Sequence, residues 1–278
     1  MIAVLLALLG AASYGVSDFI GGIFGKRASP WAVAATGGLG GAASATMLAL
    51  VNPGSPAVVD LAWGAAAGIG NGTGTAFLYR GLSSGRMGVV APVSGVLAVL
   101  LPVVVGVATG ERPGSLVWLG ILSAVPAIWL VARQPASAPE AARSGSGARD
   151  GVLAGLGFGA LFACLGQVPD TAGFGPLVLN QAVAIVVVAL VATGLGVPWV
   201  PRGAAWAGAL AGTLGGVATT AFVVATHHGL LSVSAVLVSL YPAFTIVLAA
   251  LVLHERIHRL QGWGLALCGA AVVLVALG

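Results

Sequence analysis

Ten stretches of mainly apolar residues follow one another along this chain, each near the roughly 20 residues that a helix needs to cross hydrocarbon. They cover about 2–23, 30–51, 61–80, 88–109, 115–132, 151–168, 174–197, 203–224, 230–252 and 260–277. Only 18 of 278 residues are charged, 11 Lys+Arg and 7 Asp+Glu, too few to cover the surface of a water-soluble fold of this size. The class that follows is all-α: a polytopic membrane protein of ten transmembrane helices. A membrane barrel would alternate apolar and polar residues, and the run from Ala184 to Leu190 does not. A mean hydropathy of +1.08 excludes disorder. No basic run interleaves with aromatics, so the pI near 9.7 does not point to nucleic acid. Cys164 and Cys268 sit in apolar runs and read as packing residues. The first run lacks a basic n-region and nine further spans follow, so it reads as a span rather than a leader.

Turn chemistry separates the spans: Gly25 to Pro30, Asn52-Pro53-Gly54-Ser55-Pro56, and the pair Pro198 and Pro201. Trp31, Trp63, Trp118, Trp129, Trp199, Trp206 and Trp263 all fall near span ends, as an interfacial belt requires. Residues 133–150 hold three Arg, an Asp, a Glu and two Pro, and read as a hydrated linker. It divides the chain into a first repeat, 1–132, and a second, 151–278.

A shift of 144 residues lays the second half on the first. Gly64, Gly68 and Gly72 then meet Gly208, Gly212 and Gly216; Thr75 meets Thr219; Gly85 meets Gly229. Gly15 meets Gly159, Gly120 meets Gly264, and Glu111-Arg112 meets Glu255-Arg256. Five spans is an odd number, so the second half enters the membrane upside down. Inverted repeats of this kind build secondary transporters. The GxxxGxxxG spacing puts the glycines of the third and eighth spans on one face for close helix contact.

Asp18 is the one acid well inside a span. Such a charge costs about 2.5–3.5 kcal/mol on insertion scales, so it needs a partner or a wet cavity. It reads as a proton-coupling or cation-binding carboxylate, with helix packing as the plainer alternative. Asn71, Thr73, Thr75 and Tyr79 mark a polar stripe on the third span, and Thr213, Thr219 and Thr220 its counterpart on the eighth. These groups bond a solute or a neighbouring helix. Asn180-Gln181 reads as interhelical hydrogen bonding, and His227-His228 as a solvated turn. The glycine run from Gly68 to Gly74 lacks the Lys-Ser/Thr of a phosphate loop.

The chain resembles the drug/metabolite transporter superfamily in its ten-span EamA-like branch. The resemblance rests on Tyr14-Gly15-Val16-Ser17-Asp18-Phe19 with Gly21-Gly22, and on Gly110-Glu111-Arg112 and Glu255-Arg256. Pro242, thirteen residues before Glu255, and Gly262 and Gly264 add to it. Ala98 departs from the pattern where a copy of Pro242 is expected. The resemblance implies an alternating-access carrier of small metabolites or drugs in the cytoplasmic membrane, with its cavity lined by spans 1, 3, 4, 6, 8 and 9. Tyr14, Ser94, Ser239 and Tyr241 lie on those spans. The expected partners are the lipid bilayer, a small-molecule substrate and protons, with no nucleic acid and no cofactor. The expected assembly is a monomer or homodimer.

His254-Glu255-Arg256-Ile257-His258 satisfies H-E-x-x-H, the zinc signature of metalloproteases when it lies on a helix. Here it falls at a turn, no acid follows Glu255, and its copy Gly110-Glu111-Arg112-Pro113 has neither His. A third class is a structural membrane protein without flux. Ten of the 11 Lys+Arg lie on odd-numbered connections and only Arg112 on an even one. That count places the odd connections in the cytoplasm and both termini outside, whereas the resemblance implies termini inside.

Overall fold

Hydrocarbon offers a backbone no hydrogen bonds, so each apolar stretch must satisfy its own peptide groups and becomes a helix. The computed structural model describes residues 1–25, 28–83, 87–132, 144–254 and 256–278. Lys26, Arg27, Gly85, Arg86, Glu255 and most of the expected linker, 133–143, lie outside them. The first half contains α1 (Ile2–Gly25), α2 (Pro30–Val51), α3 (Val58–Ser83), α4 (Met87–Ala108) and α5 (Ser115–Ala132). The second contains α6 (Ser144–Leu165), α7 (Gly175–Gly194), α8 (Ala207–His227), α9 (Leu231–Val238), α10 (Tyr241–Val252) and α11 (Arg259–Leu277). Among the described residues nine segments have the length and apolarity of a span, α9 and α10 together forming one. The third span, α3, falls below that apolarity because its 26 residues include six glycines and Asp60, Asn71, Thr73, Thr75, Tyr79 and Arg80.

Three expectations need correction. The sixth span begins at Ser144, so the end of the expected linker is helix. Tertiary contacts override its Gly/Ser composition: Asp150 pairs with Arg80, and Gly151 packs against Val93 of α4. The ninth span breaks at Ser239-Leu240. Pro242 has no N–H for the Val238 carbonyl, so one helix stops and another starts. Trp31, placed in the belt by sequence, is buried against Val188 and Ala192.

The repeats are inverted, and the packing shows how. Gly120 of α5 lies against Val275 of α11, while Gly264 of α11 lies against Val131 of α5. These contacts are copies of each other at offset 144, and the start of each helix meets the end of the other. A helix antiparallel to its own copy requires the two halves to run in opposite directions. Other pairs obey the same relation. Gly15 of α1 meets Thr245 of α10, and its copy Gly159 of α6 meets Leu101 of α4, the copy of Thr245. Gly212 of α8 meets Gly37 of α2, and its copy Gly68 of α3 meets Asn180 of α7, one residue off the offset. The core is therefore built from helices of opposite halves: α3 with α6 and α7, α1 with α8, α2 with α8, and α5 with α11.

At the α2–α8 crossing a Cβ on Gly212 would stand 1.7 Å from the Gly37 carbonyl oxygen. Gly269, on α11, has nothing within 4 Å of that position. Gly212→Ala should therefore destabilise the protein by about 3 kcal/mol through overpacking. Gly269→Ala should stabilise it by about 0.5 kcal/mol through helix propensity. Thermal melting of the two purified variants checks the opposite signs.

Candidate functional site

The antiparallel crossing of α1 and α8 sets Ala3 beside Gly229 and Gly10 beside Ala218. Near the other end the Ser17 hydroxyl donates to the Ala211 carbonyl at 2.7 Å. Tyr14 and Asp18, four residues apart, share a face of α1. The Tyr14 hydroxyl and Thr219 Oγ1 are 2.6 Å apart. Thr219 gives its single proton to the Gly215 carbonyl at 2.8 Å, so Tyr14 is the donor between them. The break before α10 puts Tyr241 beside Tyr14, their ring centres 6.0 Å apart.

The field of Asp18 reaches the hydroxyls of Tyr14, Tyr79 and Tyr241, which are all three tyrosines of the chain. Asp18 is exposed, and no described residue gives it a hydrogen bond or an ion pair. Side chains from three helices, α1, α3 and α10, thus lie around this carboxylate. Under the ring, Phe162 packs edge-on to Tyr14 at 6.4 Å and against Phe222 at 4.8 Å. The offset of 144 makes Phe162 the copy of Asp18. The two halves thus contribute an acid and an apolar ring at equivalent places. Sequence reasoning missed Phe162 and Phe222, although the offset could have found the first.

Tyr14, Asp18, Tyr79, Thr219 and Tyr241 thus come together. Asn71 on α3 turns its amide toward Gln181 of α7, at 3.5 Å. Thr75 is half-buried further along α3. Ser94 is buried where Gly155 of α6 crosses α4, and its hydroxyl bonds the Ala91 carbonyl. Thr220 faces away, into an apolar groove of about 250 Å³ shared with Leu6, Leu9, Leu48 and Val217. Its hydroxyl bonds the Gly216 carbonyl of its own helix. Ser239 is fully buried at the break of the ninth span, its hydroxyl unpartnered among the described residues. Asn180 also lacks a partner there, against the expected interhelical bond, whereas Gln181 has one.

The ends of the bundle differ. At one, here called the Glu111 face, the halves are tied together. Ser55 N–H donates to the Thr171 carbonyl at 2.8 Å, and His227, far from being a solvated turn residue, donates Nε2–H to the Val168 carbonyl at 2.9 Å. The Glu111 carboxylate accepts from the backbone of Leu231 and Ser232 across the repeat boundary. At the opposite Arg80 face, Arg80 bonds Asp150 and lies 4.5 Å over the Phe77 ring. All eight residues of α9, toward the Glu111 face, are buried; none of α10, toward the Arg80 face, is. A Cβ on Gly21 or Gly22, beyond Asp18, would meet nothing within 4 Å.

The H-E-x-x-H reading does not survive the geometry. His254 has φ 55, and His258 precedes α11 as its N-cap, so the two imidazoles do not share a helix face. Glu255 lies outside the described residues.

Inverted repeats of membrane helices are one build found among secondary transporters. Residues 150–277, the second repeat, match the model of the EamA-like transporter family. The second repeat is thus similar to this family, which lies within the drug/metabolite transporter superfamily and whose members are membrane transporters. A crystal structure of another protein shares the fold: TM-score 0.71 at 17% identity, over 99% of this chain and 96% of that one. No curated protein matches the chain.

The Asp150 side chain is 5% exposed and that of Arg80 35%. Removing the cation takes one charged partner from a buried carboxylate, so Arg80→Met should lower stability by about 1–3 kcal/mol. A melting temperature equal to that of the parent protein would show the pair to be dispensable.

Proposed function

We propose that the chain is an alternating-access carrier of the cytoplasmic membrane, in which Asp18 alternately holds a proton and the positive end of a small organic solute. What supports this most is the convergence of the chain's three tyrosines on its one mid-span acid. The phenol rings offer faces for a cation and hydroxyls for hydrogen bonds. Tyr14 has its proton engaged by Thr219, so Tyr79 and Tyr241 are the hydroxyls free to donate. Among the described residues, no positively charged group bears on Asp18. From α3 come Tyr79 and, beside it in sequence, Arg80, which is turned to Asp150. From α6 comes Phe162, from α8 Thr219 and from α10 Tyr241. A lone carboxylate in this setting attracts a proton or an organic cation and repels an anion.

Phenethylammonium and tetraethylammonium are suitable probes. One of them should raise the melting temperature of the purified protein with concentration, and the rise should vanish in Asp18→Asn and weaken in Tyr79→Phe. Proteoliposomes should take up the same probe faster under an opposing proton gradient, and Asp18→Asn should lose that gradient dependence while remaining folded. Gradient-driven uptake unchanged in Asp18→Asn would remove Asp18 from the mechanism.

We also propose that the Arg80 face is cytoplasmic, since ten of the 11 Lys+Arg lie on its connections. A reporter fused after Gly278 should then be labelled from outside intact cells. Labelling only after the membrane is permeabilised reverses the orientation.

A further inference from the structure

The first half reaches across the repeat boundary to hold the start of α9. A helix start leaves backbone N–H groups without partners inside the helix, and the N-cap of α9, Leu230, has no side-chain oxygen to offer. Glu111, on the turn after α4, fills that place from the other half. One carboxylate oxygen accepts from Leu231 N–H and the other from Ser232 N–H, the latter at 3.1 Å. An anion at the positive end of a helix dipole is a favourable arrangement. Its cost of release holds the two halves together at this face.

The helix so held carries polar groups with no role in the present packing. Ser232, Ser234 and Ser239 are each 0% exposed, and none of their hydroxyls has a partner among the described residues. Alanine would occupy the same space without an unbonded hydroxyl. Their copies in the first half are Gly88, Val90 and Gly95, so the fold shared by the two repeats does not require hydroxyls there. The break at Ser239-Leu240 also lets α9 move separately from α10. The copy of that region in α4 is continuous.

The geometry points to α9 as the gate of the Glu111 face. Glu111 is the positioning residue that keeps it shut, and the hydroxyls of Ser232, Ser234 and Ser239 form the hydrogen-bonding path for the solute once it opens. This rests on the alternating-access reading. In the present arrangement the path is hidden and Asp18 is exposed; in the opposite one the exposure is exchanged.

The test reads accessibility from both faces in a background with Cys164→Ala and Cys268→Ala. Ser234→Cys reports the Glu111 face and Gly21→Cys the Arg80 face. A membrane-impermeant charged thiol reagent is applied to either side of oriented vesicles. Glu111→Gln, which loses a charged hydrogen-bond acceptor, should raise labelling of Ser234→Cys from the Glu111 face by about tenfold. Labelling of Gly21→Cys from the Arg80 face should fall in the same protein. Glu111→Asp keeps the charge and should restore most of the parent pattern, which a merely structural role would not produce. Slow labelling of Ser234→Cys in the parent that Glu111→Gln leaves unchanged overturns the latch but not alternating access. No labelling from the Glu111 face in either folded protein overturns both. If Glu111→Gln does not fold, Ser234→Ala carries the test: it should raise the melting temperature by removing an unbonded hydroxyl. A fall would show that the hydroxyl is bonded in the closed state and would overturn the path.

Discussion

Inside a bilayer an apolar side chain gains almost nothing by exchanging lipid for protein, so helices must be held by proximity and by bonds between polar groups. The crossing of α2 and α8 meets that demand by removing side chains altogether: Gly212 faces Gly37 backbone to backbone. The copied crossing of α3 and α7 does the same with Gly68 at Asn180. Both crossings join opposite halves, and the pairing of α5 with α11 adds a third such seam. The cluster around Asp18 depends on them, because Tyr14 and Asp18 come from one half while Thr219 and Tyr241 come from the other. Spans packed only within their own half would leave these groups apart.

Two copies of one fold, joined head to tail, give a symmetric frame, and the departures from symmetry carry the chemistry. Phe162 occupies the place equivalent to Asp18, so the centre has one charge and one ring rather than two repelling carboxylates. Pro242 breaks the ninth span where Ala98 leaves the fourth continuous. The Arg80–Asp150 pair binds α3 to α6, while the equivalent positions on α8 and α1 are Val224 and Leu6. The frame is symmetric, and the groups set on it are not.

The topology could be read from the chain because each of its causes is local or periodic. A span is a matter of length and apolarity, inversion follows from an odd number of spans, and the offset of 144 aligns Glu111-Arg112 with Glu255-Arg256. The site was readable only in part. Asp18 stood out because a charge in a span is costly. Tyr79 and Asn71 looked alike on one polar stripe, yet only Tyr79 joins the cluster, while Asn71 meets Gln181. Thr219 and Thr220 are neighbours in sequence, but one faces Tyr14 and the other an apolar groove. A helix turns about 100° per residue, so adjacent side chains face different partners. A stripe in one sequence does not say which helix lies opposite.

The sequence by itself determined that this chain crosses a membrane, that its halves repeat, and that they oppose each other, because hydrophobic length and parity admit no other solution. Which polar groups meet, that Glu111 caps a helix of the other half, and that the serines of α9 lie buried were decided only by tertiary structure. Those facts depend on the rotation and depth of helices far apart in the chain. Glycine contacts between the repeats set that rotation and depth, and no property of a single helix specifies them.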